Sequence, residues 1–201
     1  MELNIENAIQ LYLDSYKRIN PELTVEELEI VKSNISILKL KKKQTYIKEN
    51  EIQNSIGFIN SGLIRSFFTN ENGKDITNAF FAENEFATDY LAFIKQQKTK
   101  YNFECLEDCI IISIPFEIVE IAFLTNKNFA NFGRKIAEWA LEIRTNKYES
   151  FLFENAEERY LRFFNENKSI LNRISLTHLS SYLGIERQSL CRIRSKILSQ
   201  K

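Results

Sequence analysis

Ile174-Ser175-Leu176-Thr177-His178-Leu179-Ser180-Ser181-Tyr182-Leu183-Gly184-Ile185-Glu186-Arg187-Gln188-Ser189-Leu190-Cys191-Arg192-Ile193-Arg194 is the stretch on which the reading turns. Leu176, Leu179 and Leu183 share one face of a short helix. Gly184 stands just past that helix, where left-handed φ is favoured and the chain must turn sharply. Ile185 plugs the corner. Leu190, Ile193 and Ile197 give a second helix its buried face, and Arg187, Gln188, Ser189, Arg192 and Lys196 lie opposite. This is helix-turn-helix spacing. In that motif the N-terminal part of the second helix enters the major groove, where Arg chelates guanine and Gln chelates adenine. An ordinary helical hairpin with a polar outer face has the same pattern.

Charge favours the first reading. The chain of 201 residues is balanced overall, with 27 Lys+Arg against 27 Asp+Glu. The balance is not local. From Ala156 onward nine basic residues face four acidic ones, a net +5, and the residues before it carry the compensating −5. A basic C-terminal module on an acidic body is expected to take a polyanion partner, here double-stranded DNA.

Composition removes other classes. Hydrophobic residues make up 44%, enough to bury a core. No apolar run approaches the ~18–20 residues of a membrane span. The start Met1-Glu2-Leu3-Asn4 lacks a signal peptide's basic and apolar regions, so a cytoplasmic protein without membrane contact is expected. The three cysteines, Cys105, Cys109 and Cys191, lack zinc or redox spacing and read as buried or half-buried free thiols. His178 is the single histidine, which excludes a multi-histidine metal site. The five glycines are too scattered for a phosphate-cradling loop. No catalytic residues, cofactor or metal are expected. A small barrel enzyme of the cupin kind is the enzymatic alternative, and the histidine count argues against it.

Upstream, residues 2–19 show helical spacing, Pro21 breaks it, and Thr24-Val25-Glu26-Glu27 has the form of a capping box. Short β-rich runs follow: Ile35–Leu40, Thr45–Ile47, Ile56–Asn60, Leu63–Phe68, Ile76–Phe81, Tyr101–Cys105 and Ile110–Ile114. Asn60-Ser61-Gly62 and Asn70-Glu71-Asn72-Gly73 look like hairpin turns. Several short strands at this spacing point to a small barrel or jelly roll. Residues 82–100 interrupt them with a loop or short helix.

Beyond Pro115 the pattern is helical. In residues 128–155, Phe129, Phe132, Ile136, Trp139 and Ile143 follow a 3-4-3-4 spacing, continued by Asn146, Ser150 and Phe153. That reads as a seam pairing with a second copy, Asn146 helping to fix register. A helix packed only on its own barrel is the alternative.

Taken together, Phe58-Ile59-Asn60-Ser61-Gly62-Leu63-Ile64-Arg65, Leu106-Glu107-Asp108, Ala156-Glu157-Glu158-Arg159-Tyr160 and the helix-turn-helix segment resemble the Crp/Fnr family of bacterial transcription regulators, in a short form. The resemblance runs over nearly the whole chain. It implies an α+β fold in three parts. Residues 1–127 would form N-terminal helices and a double-stranded β-helix of the cyclic-nucleotide-binding type. Residues 128–155 would be a dimerisation helix, and 156–201 a helix-turn-helix domain lacking a full wing. The family pattern assigns base reading to Arg187, Gln188 and Arg192 with Ser189 beside them, and places Thr177 and His178 near the phosphate backbone. Lys196 joins them on the basic face. A homodimer on a pseudo-palindromic site is implied, with RNA polymerase and an unidentified small-molecule effector as further partners. A ligand-binding signalling module whose C-terminal helices contact protein is the alternative.

The chain departs from the family at the ligand. Members that bind cyclic AMP carry a Gly-Glu pair and, about ten residues on, an Arg-Ser pair. The matching positions here are Thr88-Asp89 and Thr99-Lys100, with Arg144 and Thr145 approaching from the long helix. The arginine that would neutralise the phosphate is missing, so cyclic AMP is not the expected ligand. Glu186 also stands where Ser or Thr would better cap the second helix.

Overall fold

The computed structural model describes residues 5–199. Two helices lead, α1 (Ile5–Ile19) and α2 (Val25–Lys32). Eight strands follow: β1 (Ser36–Leu40), β2 (Thr45–Ile47), β3 (Ser55–Ser61), β4 (Ile64–Thr69), β5 (Asp75–Phe81), β6 (Phe86–Ala87), β7 (Asn102–Cys105) and β8 (Cys109–Pro115), with α3 (Tyr90–Ile94) between β6 and β7. The rest is helical: α4 (Phe116–Thr125), α5 (Lys127–Phe153), α6 (Ala156–Glu166), α7 (Leu176–Leu183) and α8 (Arg187–Leu198).

The strands form two four-stranded antiparallel sheets, ordered β1-β8-β3-β6 and β2-β7-β4-β5. This is the expected β-roll. Both faces of the first sheet are covered. In β3, Phe58 turns outward to α1 and α5, while its neighbour Ile59 turns into the roll. Ile112 and Ile111 do the same on β8, and Phe58 sits opposite Ile112. A strand buried on both faces needs apolar residues without alternation, which is how these runs read.

The second core ties the helices to the roll. Tyr16 of α1 stacks on Phe132 of α5 at 4.5 Å between ring centroids. The capping box of α2 forms as expected: Thr24 Oγ1 accepts from the Glu27 N–H, and Glu27 accepts from the Thr24 N–H at 2.7 Å. Glu27 also accepts from the side chains of Asn126 and Asn128, which pins α2 to the start of α5.

Two sequence expectations need correction. Asn70–Gly73 does close a hairpin, because β4 and β5 pair. Asn60-Ser61-Gly62 does not: β3 and β4 belong to different sheets, and the turn is a corner between them. Gly62 holds φ +110° there, and a Cβ would lie 2.5 Å from Cys109 Sγ.

The other correction concerns α5. Phe129, Phe132 and Ile136 are buried against their own chain, so the first half of the proposed seam is intramolecular. Trp139 and Ile143 are exposed although they continue that face. The stripe that faces away is Leu141, Tyr148 and Leu152, exposed by 67%, 65% and 57%. Their spacing of seven and four residues is itself a heptad seam.

A third core crosses the expected boundary at residue 156. Leu63, Phe80 and Leu106 of the roll meet Tyr160, Phe163, Leu179 and Leu183 of the C-terminal helices.

Candidate nucleic-acid interface

Local rules build the helix pair. Ser175 caps α7 by accepting from the His178 N–H at 3.1 Å. Gly184 ends it at φ +67°, and the Ile185 N–H closes back on the Ser180 carbonyl at 3.0 Å. This is the αL exit that glycine permits. A Cβ on Gly184 would also meet the Phe151 ring at 2.7 Å, so the turn is packed against the end of α5. Leu190 of α8 is fully buried, with Ile193 and Ile197 against the same core. Glu186 occupies the N-cap of α8 without a capping hydrogen bond, as its side chain led us to expect.

The opposite face of α8 is open. Arg187, Gln188 and Arg192 are exposed. Ser189 is half-buried and accepts from Arg192 at 3.1 Å. Lys196 is exposed, but Glu157 of α6 holds its ammonium at 2.7 Å. Thr177 is exposed on α7. His178 is turned the other way, toward Arg65 and Asp75 of the roll. Burial first, and Arg65 second, pull its pKa below the usual histidine value, and its buried Nδ1 has no hydrogen-bond partner among the described residues. Cys191 lies exposed among the α8 arginines, unlike Cys105 and Cys109, which are buried free thiols.

Sequence reasoning missed what holds this pair to the roll. Arg173 donates to Glu83 at 2.8 and 2.9 Å, and its Nε donates to Glu107 at 3.2 Å. Two carboxylates raise its pKa further above an already high value. Glu83 also accepts from the Gly62 N–H at 2.9 Å. Ser181 of α7 accepts from the Thr77 N–H at 2.9 Å and donates to the Asp75 carbonyl at 3.1 Å. Lys74 at the β4–β5 tip pairs with Glu186 at 3.3 Å, placing another cation at the start of α8. These partners lie far apart in sequence, so no local pattern announces them.

The other expected site is in the roll. Asp89, Thr99 and Arg144 are brought together: Thr99 donates to Asp89 at 2.9 Å, and Arg144 reaches the other carboxylate oxygen at 3.4 Å. Thr88 donates to the buried Gln53 at 3.0 Å. Lys100 is exposed on the surface, and so is Thr145 on α5. Thr99, at the position matched to the phosphate-neutralising arginine, brings no cation and is instead spent on Asp89.

A β-roll, a long helix and a helix-turn-helix docked on the roll define a two-part architecture. Residues 37–126 match the cyclic nucleotide-binding domain family. FixK2 from Bradyrhizobium japonicum aligns with a TM-score of 0.71 at 18% identity, over 83% of this chain and 85% of that one. A protein from Eubacterium rectale, described as a transcriptional regulator of the Crp/Fnr family, aligns at 0.70 and 16%, over 90% and 86%. The c-di-GMP-responsive global regulator CLP of Xanthomonas campestris aligns at 0.67 and 14%, over 88% and 93%. No curated protein sequence matches. The chain thus has the fold of these Crp/Fnr-type structures, with the domain match confined to residues 37–126. No helix among the described residues is long and apolar enough to cross a membrane.

Proposed function

We propose that the chain is a DNA-binding transcription regulator of the Crp/Fnr type, without catalytic activity. It would act as a homodimer that sets α8 of each copy into successive major grooves. One observation carries the reading: Arg187 and Gln188, at the N-terminal end of α8, are exposed and have no partner among the described residues. Unpaired polar groups at that end of a second helix are what base-edge readout requires. The basic balance of the module and the fold of the aligned regulators support it. Thr177 and Lys196 flank the face as phosphate contacts, Lys196 exchanging Glu157 for DNA. His178 is not retained as a contact, because it faces the roll.

The dimer would form through Leu141, Tyr148 and Leu152. Leu141→Glu is expected to give monomers in sedimentation velocity, and an unchanged dimer would move the interface elsewhere. Cyclic AMP is not proposed as effector, since Thr99 stands at the position matched to the arginine that would neutralise its phosphate. RNA polymerase is the proposed downstream partner.

The reading is tested by selecting genomic fragments with the purified protein and sequencing them. A pseudo-palindrome with half-sites about one helical turn apart is expected, with binding that weakens steeply as salt rises. No enrichment over bulk DNA would overturn it.

A further inference from the structure

A cavity of about 160 Å³ lies where α5, α6 and α7 meet. It opens on the side of α5 turned toward its own chain, opposite Leu141 and Tyr148, so a second copy on that stripe would not fill it. The exposed Ile143 side chain borders this space.

The lining has two characters. Ile143, Phe163 and Tyr182 make an apolar part, and Lys147, Arg159 and Arg162 bring three cations, against Glu166. Arg162 is paired with Glu154 at 3.1 Å. Arg159 donates to two backbone carbonyls, Leu183 O at 3.1 Å and Glu154 O at 2.6 Å, and lies 5.0 Å from the centre of the Phe151 ring. The Lys147 ammonium donates to the Asn78 carbonyl and lies 4.3 Å from the centre of the Tyr182 ring. It has no ion-pair partner among the described residues. Burial pulls its pKa down to about 8. A half-buried ammonium beside an open space, with no counter-ion of its own, is an electrostatic deficit that a bound anion would remove.

We infer that this cavity binds a small organic monoanion, a carboxylate carried on a flat apolar body of about benzoate size. Volume sets the body, since an engineered cavity of about 150 Å³ takes a benzene ring. Lys147 sets the charge, with Arg159 beside it, and Phe163 with Tyr182 receives the apolar part. The site is distinct from the roll pocket around Asp89, and it does not rest on the DNA-binding reading.

The test is titration of the full chain with benzoate, without DNA, followed by calorimetry and ligand-observed NMR. For a ligand of this size a dissociation constant of the order of 1 mM is expected. Benzamide, of the same shape without the charge, is expected to bind about tenfold more weakly, and Lys147→Met to weaken benzoate about tenfold. Ile143→Trp keeps every charge and fills the mouth, and is expected to abolish binding. Absence of saturable binding to the wild-type chain would overturn the inference. So would equal binding of benzamide, or benzoate affinity unchanged in both variants.

Discussion

The roll pocket and the recognition face of α8 were both expected to meet ligands, and they treat their polar groups in opposite ways. Around Asp89 each group is matched inside the protein: Thr99 and Arg144 on the carboxylate, Thr88 on Gln53. On α8, Arg187 and Gln188 remain exposed and unmatched. The difference follows from solvent. A buried polar group without a ligand must find a protein partner or destabilise the fold, whereas an exposed one waits at little cost in water. Self-pairing thus marks the buried cluster, and its absence marks the exposed face.

Lys147 breaks this division most sharply, being half-buried yet without a carboxylate among the described residues, so its removal should have the largest effect. Its pKa is about 8 in the folded chain against 10.5 when free. Unfolding therefore takes up a proton between those values, and stability rises with pH through that window; below it the penalty is complete. Lys147→Met should flatten this rise and add at most about 3 kcal/mol near neutral pH, offset by the lost contact with Asn78. Urea denaturation on either side of pH 8 reads it, and identical slopes for both proteins would place the ammonium in water.

Next comes the outward face. Arg187→Ala should weaken operator binding by about 1–3 kcal/mol and relax preference at one base pair. An equal loss on every sequence, measured by competition with scrambled DNA, would make Arg187 a backbone contact instead. The inward pocket should respond less. Asp89→Asn leaves a neutral partner for Thr99 and loosens Arg144, which is largely exposed, so about 1 kcal/mol of stability is expected to be lost. Smallest of all, cyclic AMP should leave the thermal midpoint unchanged; a rise that tracks its concentration would return the pocket to cyclic-nucleotide binding.

Much of this was legible in the residues because local rules decided it. Gly184, Ser175 and the leucines of α7 fix the turn and cap wherever they occur, and the β-branched runs mark the strands to within a residue or two. What stayed hidden was decided over distance. Two residues, Phe86 and Ala87, carry too little pattern to announce β6. Asn60-Ser61-Gly62 is a good tight turn, and nothing local says that its flanking strands enter different sheets. Phe129, Phe132 and Ile136 give the periodicity of a buried face without saying whose chain buries it. Arg173 reads as one more basic residue of a DNA-binding module, yet it binds two carboxylates of the roll.

Ser181 carries a wider consequence. Strand β5 is the rim of its sheet, and its outward amide and carbonyl at Thr77 and Asp75 are answered by that one hydroxyl. The helix pair therefore serves as a gasket over an open ladder. Any swing that lifts it from the roll would uncover a template for intermolecular strand addition, so large excursions of the helix pair carry a colloidal penalty as well as an energetic one.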